Sequence, residues 1–115
     1  MPDINTQIVH YQYEFRALPG EKLALLTLFN PKGKAVAMLV FVDGSNPLPE
    51  PRETPGGLVI QSYYRRDLAG IIDMLRNEKP VHFTWASAAR LARVTTEQEP
   101  VGEEEFRGFW ARVLG

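Results

Sequence analysis

A chain of 115 residues with 44% hydrophobic and 23% charged side chains has the make-up of an average globular domain, which excludes global disorder. Its 13 Lys and Arg against 14 Asp and Glu leave a net charge of −1, so no overall cationic field draws it onto nucleic acid or an anionic membrane. It has no cysteine, which excludes disulfides, thiolate metal sites and cysteine nucleophiles and fits a reducing compartment.

No apolar run approaches the ~20 residues of a membrane span. The opening MPDINTQ lacks the basic and apolar segments of a secretory signal. A single cytoplasmic domain over residues 1–115, with no membrane partner, is the expectation.

From Val9 the residues alternate. Val9, Tyr11, Tyr13, Phe15 and Ala17 share one side, and His10, Gln12, Glu14 and Arg16 the other, the period of a half-buried strand. Pro19-Gly20-Glu21 reads as a turn. Leu23 to Phe29 is apolar on both faces, as in a central strand, and Asn30-Pro31-Lys32-Gly33 supplies the next turn. Ala35 to Val42 completes an antiparallel meander of three strands.

Residues 43–57 break the pattern with Pro47, Pro49, Pro51 and Pro55 and with Gly44, Gly56 and Gly57. Alternate prolines favour polyproline-II conformation and cannot donate to a sheet. The segment reads as a long crossover, or else as a recognition arm or lid, and is expected to be mobile and dispensable for folding. Leu58 to Tyr64 reads as the fourth strand. Leu68, Ile71, Ile72 and Leu75 then fall at helical spacing, so a helix is predicted over about 65–77, stopped by Pro80. Val81, Phe83 and Trp85 alternate as strand five, and 90–95 reads as strand six. Phe106, Phe109, Trp110, Val113 and Leu114 repeat the helical spacing behind Glu103-Glu104-Glu105, which suit a helix N-terminus. The predicted fold is α+β: an antiparallel sheet in the order β-β-β-β-α-β-β-α with the helices packed on one face.

The residues offer little chemistry. The histidines, His10 and His82, both stand on the polar side of a predicted strand, and no G-x-S-x-G elbow surrounds Ser45, Ser62 or Ser87. No metal-ligand spacing occurs, so no catalytic set, metal site or cofactor is expected. The stronger candidate is a basic-aromatic cluster of Tyr63, Tyr64, Arg65, Arg66, Arg90 and Arg93. Aromatic faces and arginines on a sheet are how single-stranded nucleic acid is held. The plainer reading of Arg65 and Arg66 is surface pairing with Asp67, Asp73 or Glu78, and that of Tyr11, Tyr13 and Trp85 is core or interface packing.

A strand-rich N-terminal part, a loop, then Pro55-Gly56-Gly57-Leu58-Val59-Ile60 before the Leu68/Ile71/Ile72/Leu75 helix resembles the β-β-β-β-α unit of Whirly-type single-stranded-DNA-binding proteins and their coactivator relatives. The likeness spans residues 8–77 and lies in element order. It implies binding of single-stranded nucleic acid as a candidate activity. The first reading is thus a small non-enzymatic binding or interaction domain, expected as a homodimer that pairs through sheet edges and apolar helix faces. The contrasting reading is a small-molecule-binding domain or small enzyme, its pocket closed by the 43–57 loop and using His82 with a nearby carboxylate.

Overall fold

The computed structural model describes residues 3–19, 21–44 and 47–96. The described elements, in chain order, are β1 (Ile4–Ile8), β2 (His10–Leu18), β3 (Glu21–Phe29), β4 (Ala35–Val42), β5 (Arg52–Glu53), β6 (Val59–Tyr64), a 3-10 turn (Arg65–Asp67), α1 (Leu68–Asn77), β7 (Val81–Ala86) and β8 (Leu91–Thr96). They form two sheets, β2-β3-β4-β6-β5 and β1-β7-β8. The chain passes from one sheet to the other at Val9, whose N–H donates to the Phe29 carbonyl at 3.0 Å.

This corrects the predicted α+β domain with one antiparallel sheet and two helices in β-β-β-β-α-β-β-α order. The described chain is mostly strand with one short helix, and β4 and β6 run parallel. The parallel pair arises because the chain overshoots β6 after β4, lays down β5 and returns through a hairpin. Thr54 builds that turn: its carbonyl accepts from Gly57 N–H at 2.9 Å and its Oγ1 from Leu58 N–H at 3.1 Å, while Gly57 takes φ +88°. A positive φ is open to glycine without steric penalty. Two strands are unforeseen. In β1 only Ile4 and Ile8 are apolar, too short a pattern to read, and β5 is two residues between prolines. The second predicted helix, with Phe106, Phe109, Trp110, Val113 and Leu114, lies outside the described residues, as does the expected burial of Phe106 and Trp110.

Other local expectations hold. The Asn30-Pro31-Lys32-Gly33 turn forms, with the Asn30 Oδ1 accepting from the backbone N–H groups of Lys32 at 3.0 Å and Lys34 at 2.9 Å. Gly33 there has φ +79°. The helix begins and ends where its apolar spacing does.

One core joins both sheets and the helix. From the large sheet come Ala24, Leu26 and Leu28 of β3, Ala37, Leu39 and Phe41 of β4 and Val59 of β6. The small sheet adds Ile8, Val81, Phe83, Trp85 and Ala92, and α1 lays Leu68, Ile71, Ile72 and Leu75 against them, half-buried. The two-faced apolarity of β3 has a use: its alternate residue Leu25 is also buried but stands apart from this core, on the sheet's other face.

Residues 47–57, expected as a mobile and dispensable loop, make specific contacts with the body of the protein. β5 pairs with β6, with Arg52 opposite Ile60 and Glu53 opposite Val59. Glu53 Oε1 accepts from the indole N–H of Trp85 at 2.9 Å, and Glu50 pairs with Arg90. A buried indole N–H usually requires such a partner.

Candidate functional site

Four of the six residues expected at a nucleic-acid site cluster, and two lie elsewhere. Tyr63 and Tyr64 end β6, and Arg65 and Arg66 begin the 3-10 turn, beside the end of parallel β4. With Val42, Asp43 and Gly44, the side chains of Tyr64, Arg65 and Arg66 line a shallow depression of about 150 Å³. Arg90 and Arg93 belong to the small sheet and are not among its lining residues. Arg90 sits in the β7–β8 turn at φ +50° and is paired with Glu50; Arg93 stands on β8 opposite Thr84.

Within the cluster each side chain already has a contact. Tyr63 points to the core side and stacks on Phe41, ring centroids 5.7 Å apart and 21° between planes. Burial, with the nearby Asp67 charge, raises its phenol above the ordinary tyrosine value. Arg66 lies over the Tyr64 ring, its guanidinium carbon 4.5 Å from the centroid, a cation–π contact worth about 0.5–1 kcal/mol at an exposed site. Arg65 Nε is 3.1 Å from Asp43 Oδ1, so a partner comes from the residue that follows β4. The cluster therefore presents two guanidinium groups and the Tyr64 ring, with Asp43 moderating the positive charge.

A groove of about 460 Å³ is a different place. It lies between the β1–β2 junction at residues 7–11 and the end of α1 with the following turn, including His10, Tyr11, Leu75, Glu78 and Lys79. None of residues 47–57 lines it, and neither does His82, which stands on β7 opposite Gln7. Among the described residues no group of three or more His, Asp or Glu side chains is placed to hold a metal ion. No described helix is long and apolar enough to cross a membrane.

The feature that sequence reasoning missed is the exposure of the aromatic side of strand β2. Its residues Tyr11, Tyr13 and Phe15 stand opposite Leu28, Leu26 and Ala24 of β3, so they lie on the core face of the sheet. Yet the core stops short of them: Val9 is 41%, Tyr11 36%, Tyr13 37% and Phe15 65% exposed. Tyr13 and Phe15 meet edge to face, centroids 4.7 Å apart. The alternation announced the strand but not its burial, because no local pattern tells whether a neighbour covers the apolar side. Among the described strands β2 pairs with β3 alone, so its other edge carries backbone donors and acceptors with no described strand beside them. At the end of the strand, Phe15, Arg16 and Ala17 border, with Leu23 of β3, a second depression of about 140 Å³ that Arg65 also lines. Compared with protein-family models, with curated proteins and with solved structures, the chain matches none.

Proposed function

We propose that the protein is a small non-enzymatic binding domain whose working surface is the outer edge of β2. The observation that carries this reading is the run of Val9, Tyr11, Tyr13 and Phe15, left exposed on the core face of an edge strand. Scattered surface apolar residues are ordinary, but a contiguous apolar row beside an open strand edge is the form of a strand-addition site. Main-chain hydrogen bonds would supply affinity there, and the alternate aromatic side chains selectivity. A fluorescein-labelled peptide of residues 9–17 offers the test. It is expected to bind the protein saturably, and Phe15→Asp, which puts a charge among the aromatics, to weaken binding by roughly tenfold or more. Absence of binding at several hundred micromolar protein would sink the reading.

A second reading rests on a different observation, the Arg65, Arg66 and Tyr64 side chains around one depression at the strand ends. It is also what the likeness of residues 8–77 to Whirly-type proteins implies: weak binding of single-stranded nucleic acid, with arginines on phosphate and the Tyr64 ring against a base. A net charge of −1 leaves few phosphates to be neutralised, so the salt dependence is expected to be shallow. Fluorescence anisotropy with a labelled oligothymidylate at low salt should give a midpoint in the micromolar range or above, lost in the Arg65→Ala, Arg66→Ala double variant. Equal binding by that variant would remove the cluster from the interaction.

A further inference from the structure

We infer that the partner of the β2 edge is a second copy of the same chain, joined antiparallel about a two-fold axis through Phe15, so that two five-stranded sheets become one continuous sheet. The inference rests on the reading of β2 as a binding edge and adds who occupies it.

The first support is the contrast between the two edges of the large sheet. At one edge, β5 is two exposed residues long and follows Pro51, which is how natural sheets blunt an edge against pairing. At the other edge, β2 runs nine residues without proline, glycine or lysine, in unbroken register with β3. Among the described residues neither a proline, nor a bulge, nor a short length guards it.

The second support is charge. Glu14 and Arg16 share the face opposite the aromatics, and Arg16 donates to Glu14 from Nε at 2.8 Å with Nη2 2.7 Å away. They stand one on each side of Phe15. In an antiparallel pairing centred on Phe15, each Glu14 meets the partner's Arg16 and each Arg16 the partner's Glu14, on one face of the sheet. A strand of unrelated sequence has no reason to match that symmetry, whereas an isologous interface requires self-complementarity. On the opposite face the same pairing sets Phe15 against the partner's Phe15 and Tyr13 against the partner's Ala17, extending both cores across the junction. The aromatic row that one copy leaves in water is covered by the other.

The test uses the full chain and two charge reversals. Sedimentation velocity across a concentration series should show the unmodified protein as a dimer at tens of micromolar. Glu14→Arg and Arg16→Glu each place like charges opposite one another at both symmetric positions, and each alone is expected to raise the dimer dissociation constant by roughly tenfold or more. Mixed in equal amounts, the two variants should recover a dimer, because a strand with two cationic side chains flanking Phe15 then faces a strand with two anionic ones. Neither variant retains the intrachain Glu14–Arg16 pair, so recovery reports the contact between copies and not a repaired monomer. Circular dichroism confirms that each variant is folded. A protein that stays monomeric at several hundred micromolar overturns the inference, and if it still binds the residue 9–17 peptide, the edge reading stands with another occupant. Dimerisation unchanged in both single variants, or no recovery on mixing, places the contact elsewhere and overturns it equally.

Discussion

Phe41→Ala is expected to destabilise the fold by roughly 3–5 kcal/mol, a large share of the roughly 5–15 kcal/mol total stability of an ordinary domain. Phe41 has no exposed surface and lies in the middle of the large sheet, opposite Ala24 of β3 on one side and Tyr63 of β6 on the other. Its ring is stacked on Tyr63, so truncation opens a cavity against a neighbour that is itself fixed at the end of a strand. Such a site collapses poorly, which places the loss toward the upper part of the range. Urea unfolding should show the midpoint falling sharply with the slope unchanged. Phe15→Ala is the matched comparison: with 65% of its surface exposed, it should shift the midpoint little when measured at concentrations low enough to keep the chain monomeric. A Phe41→Ala midpoint close to that of Phe15→Ala would mean that the two sheets do not share one core.

Replacing residues 47–53 by a Gly/Ser link of equal length is expected to destabilise by about 2–3 kcal/mol. The change removes the β5 pairing to β6 and takes the Glu53 acceptor from the indole N–H of Trp85. Trp85 is only 3% exposed, and leaving a buried donor without an acceptor costs about 1–3 kcal/mol by itself. The Arg90–Glu50 pair adds little, since both side chains are 68% exposed. Glu53→Ala should reproduce the larger share of the loss, and Glu53→Gln, which keeps an acceptor oxygen, much less of it. Thermal melts resolve these steps, as about 1 kcal/mol moves the midpoint of a domain this size by several degrees. A full replacement that melts with the unmodified protein would show that the 47–53 segment is held only loosely.

That second case shows where the sequence was silent. Prolines 47, 49, 51 and 55 announce a segment that cannot donate to a sheet at those positions, and only the two residues of β5 between Pro51 and Pro55 pair with β6. What they do not announce is the partnership of Glu53 with Trp85, which depends on the three-dimensional route of the chain and leaves no local signature. The same holds for β4 and β6. Each is legible as an apolar run, but their parallel pairing follows from the overshoot through β5, which periodicity does not encode. The residues that were easiest to read, Leu23 to Phe29 and Ala35 to Val42, are those whose nearly unbroken apolar runs mark central strands paired with immediate neighbours. At the candidate site, Tyr63 to Arg66 come together because they are consecutive. Arg90 and Arg93 were grouped with them by chemistry alone, and the two-sheet arrangement separates what a single sheet would have joined.

The passage of the chain through Val9 ties the order of folding to the order of synthesis. β2 finds β3 across a short turn, but β1, only one residue upstream, has its partner more than seventy positions further on, with Ile8 facing Val81 and Ile4 facing Trp85. On a ribosome the large sheet can therefore assemble while β1 still waits beside it, and the small sheet closes only once β7 has emerged. Closing so wide a loop is slow relative to local pairing. A strand made before the whole large sheet is thus secured after it, and a nascent chain cut short before β7 would carry β1 as an unpaired strand continuous with the exposed β2 edge.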